Sequence, residues 1–454
     1  MNSRGIKIYD GNPKYRVILD NDGKLNKNHQ IYNDKNLGKM VWFTGSDVNR
    51  KELPEHIIHI KSSTNKIEIN DVIKELDILG CNSILIEAGG TLAGSFFDKR
   101  LVDKYNESGP RYTSYPPATF FNEYFGEKEY LDAVVKSNSE RPENISVYIH
   151  VPFCPQICHF CGCTTETGFS RPFLERYIDA VVKEIELVSS KIDTKRKLTQ
   201  VHWGGGTPNS ISYKYIEKIT NTLKDKFDIS DNYEMAIECN PAHLEFRHIE
   251  LLKKFGFNRI SVGIQDFRDD VLEAINRRPS KRPIEDIISK ISDEGFSGTN
   301  IDLVYGLPLQ TVESFRDTID RAIELNTDRI VTFSYAHVPS VIPRQKVLDN
   351  IGFPSSDEKA QMYEESYQKL IEAGYVSIGM DHYSKPYDEF AIALREKKLH
   401  RNFQGYCTRE TTGQVYGFGA SSISQLDSAY SQNIKTTSEY IQSIEKSGLA
   451  VLRA

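Results

Sequence analysis

The 454-residue sequence predicts an α/β protein. We expect a partial barrel of six βα units, preceded by a small, incomplete α/β segment. Three observations lead there. From residue 145 onward, short β-rich runs alternate with long amphipathic stretches, the pattern of parallel strands joined by helical crossovers. Four of the seven cysteines fall within ten residues, just past the first of those strands, at the end of a barrel where active sites are built. The first hundred residues show the same alternation on a smaller scale.

Taken in order, residues 1–104 form one segment. KYRVILD (14–20), MVWFTGS (40–46) and HIIHIKS (56–62) read as strands. Asp71–Leu79 has helical spacing. SILIEAGG (83–90) reads as a buried strand entering a glycine turn, and Thr91–Lys99 resumes a helix. Residues 105–144 are a connector rich in Pro, Tyr and Gly. It is too aromatic for a floppy linker and is expected to lie against the next domain. Residues 145–340 supply the barrel, with strands at 145–151, 198–204, 233–239, 259–264, 299–305 and 329–335. Long amphipathic stretches sit between them, for example at 173–191. Six units fall short of a closed eight-unit barrel, so an open or partial one is expected. Residues 341–454 add one helical stretch (357–373), then short strands and turns.

Composition narrows the function classes. With 39% hydrophobic residues, 22 Phe and 24 Tyr, the chain can bury a sizeable core. A net charge of −6 argues against a nucleic-acid binder that works through a broad basic field. No apolar run reaches about 18 residues, and the start MNSRGIKIYDGNPKYR lacks an apolar leader. A cytoplasmic protein without a membrane partner is expected.

In a reducing compartment, clustered cysteines bind metal or do redox work. Cys154, Cys158 and Cys161 are spaced so that three thiolates can converge on one iron–sulfur cluster and leave one iron open to a small molecule. A structural zinc site is the alternative on spacing alone, with Cys163 or His159 as the fourth ligand. The glycines of VHWGGGTP (201–208) let backbone approach a ligand closely. Glu238 ends the third strand, where a carboxylate can pair with an ammonium group or ribose hydroxyls. Asp302 is costly inside an apolar strand unless paired. Trp203 reads as core. Arg111 and Arg401 are candidates for substrate carboxylates. The histidines at 150, 159, 202, 337 and 382 are assigned to packing or hydrogen bonding.

The string YIHVPFCPQICHFCGC (148–163) resembles the signature of radical S-adenosylmethionine enzymes. Together with GPRYTSYP (109–116), VHWGGGTP, VGIQDF (262–267), NIDLVYGLP (300–308), FSYAHVP (333–339), GMDHY (379–383) and HRNFQGY (400–406), it is similar to the oxygen-independent coproporphyrinogen III oxidase (dehydrogenase) family. The resemblance covers about residues 105–454. It implies an oxidoreductase of haem and porphyrin biosynthesis. Such an enzyme uses a 5′-deoxyadenosyl radical to turn two propionates of coproporphyrinogen III into the vinyls of protoporphyrinogen IX. It implies a 4Fe–4S cluster on Cys154, Cys158 and Cys161, with Cys163 not a ligand, and two molecules of S-adenosylmethionine. Tyr148, Gly205 and Ile423 match contacts to the first molecule. Phe160, Gly206, Thr207, Gln265, Arg277, Asp302 and Ala336 match contacts to the second. The electron donor is not named by the sequence, and a monomer is expected.

Two departures accompany the match. The family continues into a C-terminal helical domain that this sequence is not expected to contain. Residues 84–104 (ILIEAGGTLAGSFFDKRLVDK) resemble instead the C-terminal half of the riboflavin-biosynthesis pyrimidine reductase domain, a dihydrofolate-reductase-like fold. There Glu87, Gly89 and Gly90 would sit near the nicotinamide cofactor or substrate. An inert or partial appendage is expected rather than a working NADPH site. Competing readings are a haem chaperone, a haem-degrading radical enzyme and an inactive truncated fusion.

Overall fold

The computed structural model describes residues 15–27, 32, 39–49, 53–80, 121, 124–403, 405–408, 411 and 413–453. The chain divides into two compact units, residues 1–107 and 108–454.

In the first unit, β1 (Tyr15–Leu19), β2 (Lys39–Thr44) and β3 (Ile57–Lys61) form a parallel sheet in that order. The central strand is buried on both faces. Val41 and Phe43 pack with Tyr15, Val72 and Leu76, while Met40 and Trp42 pack with Leu25 and Ile57. Helix α1 (Ile69–Ile78) supplies Val72 and Leu76, and begins two residues earlier than its spacing suggests. The strand expected at 83–90 and the helix at 91–99 lie outside the described residues, as do Glu87, Gly89, Gly90, Arg111 and the GPRYTSYP string.

In the second unit, α2 (Glu127–Ser137) precedes six strands. These are β4 (Ile145–Val151), β5 (Lys197–Gly205), β6 (Asp228–Cys239), β7 (Arg259–Gln265), β8 (Gly298–Tyr305) and β9 (Arg329–Ser334). They lie side by side in chain order and every pairing is parallel. The crossovers are α3 (Arg171–Ser189), α4 (Tyr213–Lys226), α5 (Phe246–Phe255), α6 (Asp269–Ala274) with α7 (Ile284–Asp293), and α8 (Val312–Glu324). Local chemistry starts helices of this unit, α3 and α8 among them. Ser170 accepts from Phe173 N at 3.4 Å ahead of α3, which carries Pro172 in its first turn. Thr311 and Ser314 form a capping box at α8.

Along these strands the side chains alternate with period two. In β7, Ile260, Val262 and Ile264 are buried in the main core, while Ser261, Gly263 and Gln265 line a cavity. In β8, Ile301 and Leu303 join that core, while Asn300 and Asp302 line the same cavity. On these two strands Ser, Gln, Asn and Asp face the cavity where a filled barrel would carry Val, Ile and Leu.

After β9 come α9 (Ser356–Glu372) and the hairpin β10 (Val376–Gly379)–β11 (His382–Ser384), whose second strand lies beside β9. Next are α10 (Glu389–Arg395) and a small ribbon, β12 (His400–Arg401) with β13 (Tyr406–Cys407). Strand β14 (Gln414–Phe418) pairs parallel with β4. Strands β15 (Ile423–Leu426), β16 (Tyr430–Asn433) and β17 (Val451–Arg453) extend that edge antiparallel. Helix α11 (Thr437–Ser447) lies between the last two. The sequence reading places one helix after residue 340. The structure adds α10, a seven-residue helix capped by Asp388, and α11, whose Tyr440 packs on Tyr177 of α3. No helix among the described residues is long and apolar enough to cross a membrane.

Candidate active site

The cysteine loop leaves β4 and is closed at its base by backbone. Cys154 N donates to Glu166 O (2.9 Å), and Glu166 N donates to Pro152 O (2.7 Å). Cys154 is buried; Cys158 and Cys161 are half-buried; Cys163 is exposed. All four thiols are free. The tip rests on the turn after α6. His159 N donates to Ile275 O (2.9 Å), and Asn276 Nδ2 donates to Ile157 O (2.8 Å). Arg277 follows α6 instead of lying on a helix, as the turn bends its guanidinium back to 3.6 Å from Cys158 Sγ.

The end of β5 docks on the same loop. Gly206 N donates to Val151 O (2.7 Å) and Thr207 N to Phe153 O (2.9 Å), which brings Thr207 Oγ1 within 3.2 Å of Cys154 Sγ. The glycines leave room for protein side chains. Gly205 has φ +113, and a Cβ there would stand 2.8 Å from the His150 ring. A Cβ on Gly204 would stand 2.8 Å from Glu238 Oε1. The missing side chains thus let His150 and Glu238 approach the strand end, and Gly205 and Gly206 still line the cavity.

A cavity of about 580 Å³ opens inside the strands beside this loop. Phe160, Cys161, Gly205, Gly206 and Thr207 line it from the cysteine side, and Glu238, Gln265, Arg277, Asp302 and Ala336 from the strand ends and the turns beyond them. Cys154, Cys158, Tyr148 and Ile423 are not among its lining residues. Tyr148 stands behind, its hydroxyl 3.2 Å from His150 Nδ1 and its ring stacked on His202. Ile423 begins β15. Its carbonyl would lie 2.7 Å from a Cβ on Gly417, the residue paired with Tyr148 across β14 and β4.

The polar groups inside are organised. His202 Nε2 lies 3.0 Å from Glu238 Oε1. Burial works against the imidazolium, yet the hydrogen bond and charge of Glu238 outweigh it and raise the His202 pKa. Asp302 accepts from Ser261 Oγ and Asn300 Nδ2, both at 2.9 Å. Burial, with the nearby Glu238 charge, pushes its pKa up to about 6. Burial drives His150 down to about 4, so this ring is neutral at physiological pH. Gln265 has φ +72, a left-handed backbone on a non-glycine residue inside the cavity, where strain of this kind accompanies function. The Cys161 thiol is pulled down to about 6, first by the hydrogen bond from the Cys163 thiol and then by Arg344 and Arg277. That favours the thiolate form metal ligation needs.

Two residues that touch the loop carry no sequence signal of their own. Arg344 and Gln345, on the turn of 3₁₀ helix at Pro343–Asn350, donate to Cys161 O and Phe160 O. Among the remaining sequence candidates, Trp203 is fully buried against Phe257. Arg401 Nη1 meets Met380 Sδ at 2.6 Å, and its guanidinium lies over the Tyr406 ring. His337 pairs with Asp349 (2.6 Å) and His382 with Asp381 (2.8 Å).

Comparison with known proteins agrees with this geometry. The family profile described as Radical SAM superfamily matches residues 148–322, and that of the RibD C-terminal domain matches residues 3–106. The oxygen-independent coproporphyrinogen III oxidase of Synechocystis sp. is 41% identical over 77% of this chain and 75% of its own length. That of Escherichia coli is 41% identical over 79% and 77%. The solved structure of the Escherichia coli coproporphyrinogen III oxidase, described as a radical SAM enzyme, superposes with a TM-score of 0.71 at 38% identity, covering 78% of this chain and 79% of that one. With such identity across three quarters of each relative, the chain belongs to the oxygen-independent coproporphyrinogen III oxidase family of the radical S-adenosylmethionine superfamily.

Proposed function

We propose that the protein oxidatively decarboxylates two propionates of coproporphyrinogen III to the vinyls of protoporphyrinogen IX. The observation that carries this reading is the junction of the free-thiol loop with a cavity inside the six parallel strands that holds Glu238, Asp302, Gln265 and Arg277. Cys154, Cys158 and Cys161 would hold the 4Fe–4S cluster that the superfamily implies. The donor set suits it: three free thiols come from one loop, Arg277 and Arg344 oppose the burial that holds the Cys158 thiol up and help pull the Cys161 thiol down, and no fourth protein ligand is required. When bound, the cluster with S-adenosylmethionine supplies a 5′-deoxyadenosyl radical able to take hydrogen from the propionate β-carbon.

The chain's own residues do the rest. Tyr148, Gly205 and Ile423 would bind the first S-adenosylmethionine, with Glu238 available to its ammonium group or ribose hydroxyls. His202 orients that carboxylate from 3.0 Å. Phe160, Gly206, Thr207, Gln265, Arg277, Asp302 and Ala336 would bind a second molecule. The unit of residues 1–104 contributes no NADPH-dependent step in this reading, and the protein works as a monomer on a soluble substrate with an external electron donor.

Anaerobic reconstitution tests this. The reduced protein should release 5′-deoxyadenosine and form protoporphyrinogen IX from coproporphyrinogen III. Cys158→Ala should lose the cluster and both products together. A reconstituted chain that makes no 5′-deoxyadenosine, or a Cys158→Ala chain that retains activity, would overturn the assignment.

A further inference from the structure

We propose that Arg344 and Gln345 are positioning residues for the cysteine loop, and that the Arg344 guanidinium raises the reduction potential of the cluster. The inference rests on the reading of that loop as the cluster's seat.

Both residues project from the 3₁₀ turn at Pro343–Asn350, 181 to 185 residues along the chain from the loop positions they hold. Arg344 Nε donates to Cys161 O at 3.0 Å, Nη2 donates to the same carbonyl, and Nη2 also reaches Cys163 O at 3.5 Å. The fork thus fixes the carbonyl of one thiol-bearing residue and that of its second neighbour. Gln345 is buried, with 1% exposure, and its amide is used at both ends. Its oxygen accepts from Val338 N (2.6 Å), and its nitrogen donates to Phe160 O and Ala336 O (3.1 Å each). It therefore ties the loop to the segment after β9 at two cavity-lining residues, Phe160 and Ala336.

The second half of the proposal is electrostatic. Arg277 stands 3.6 Å from Cys158 Sγ, and Arg344 grips the Cys161 carbonyl. Reduction adds negative charge to a cluster, and a fixed positive charge beside it favours the reduced form. A guanidinium stays charged at any working pH, and its planar fork suits two carbonyl oxygens better than a single ammonium does.

The test compares wild type, Arg344→Gln and Arg344→Lys as full-length, anaerobically reconstituted chains. The readouts are iron and sulfide per chain, the rate of iron loss to a chelator, and the midpoint potential from an EPR-monitored titration. Arg344→Gln should lose iron about tenfold faster and titrate at a more negative potential. Arg344→Lys should bring the potential back toward wild type while iron loss stays fast, because charge is restored and the fork is not. An Arg344→Gln chain with wild-type melting temperature but no cluster supports the positioning role, and Arg344→Lys then reads the charge. An Arg344→Gln chain with unchanged potential and iron loss overturns the proposal. So does Arg344→Lys behaving like Arg344→Gln in both. A wild-type chain that takes up no iron overturns the functional reading beneath it.

Discussion

Glu184 sits in the middle of α3 with 2% exposure and a carboxylate far from bulk water. It accepts from Tyr440 Oη (2.6 Å), Asn433 Nδ2 (2.6 Å) and Gly419 N (2.9 Å), and so joins α3 to the turn that leads into Ile423. Burial outweighs those three donors and raises its pKa from 4.5 to about 7. The folded chain thus holds this proton over a range where the unfolded chain has released it. Its contribution is full below pH 4.5, declines as pH rises toward 7, and is flat beyond. At about 1.4 kcal/mol per pH unit, the decline is roughly 3 kcal/mol. Glu184→Gln keeps the shape and removes the proton. The difference in melting temperature between pH 5 and pH 8 should therefore be smaller in Glu184→Gln than in wild type. An equal difference in the two proteins would show that Glu184 is already ionised when folded. No sequence pattern announced this residue: a Glu in an amphipathic helix reads as surface until the packing against β14–β16 is known.

At the scale of elements, the cysteine loop is shaped by what clamps it. One clamp is the turn after α6. Asn276 has φ +55, holds Ile157 O through its side chain, and receives Gln156 Nε2 on its own carbonyl at 3.0 Å. Asn276→Gly leaves the left-handed backbone unstrained but deletes the side-chain bonds, worth about 1 kcal/mol each. Iron retention should fall by roughly tenfold, with little change in melting temperature. Retention equal to wild type would mean the backbone contacts at His159 and Cys154 suffice. The six parallel strands were legible in the sequence because their apolar residues must face the helix layer. Ile260, Val262 and Ile264 mark β7 almost to the residue. The thiols were legible because their spacing is chemical. The clamps were not. Arg344 and Gln345 lie past the last barrel strand, in a stretch with neither periodicity nor motif, and their partners are backbone carbonyls, which leave no trace in a sequence. The glycines of β5 were legible as a place of close backbone approach, but the side chains that approach them were not. Their missing side chains make room for His150 and Glu238.

For the molecule as a whole, the two units have separate cores. The apolar clusters around Val41 and Trp42 draw only on the first unit, and those around the six-strand layer only on the second. No strand pairs across the division among the described residues. Two cores that share no side chain among the described residues are expected to melt separately. Calorimetry of the full chain should show two transitions, with the cluster's visible absorption persisting through the smaller one. A ligand bound at about 100 times its dissociation constant stabilises a fold by roughly 2.7 kcal/mol. In a domain of about 100 residues that raises the midpoint by roughly 10 °C or more. If the first unit carries no working nucleotide site, saturating NADPH should leave the smaller transition where it is. A rise of that size would make the fused unit a nucleotide-binding domain and reopen the question of how the protein receives its electrons. A single cooperative transition would show instead that the two units stabilise each other, and that residues 1–107 are part of the enzyme's fold.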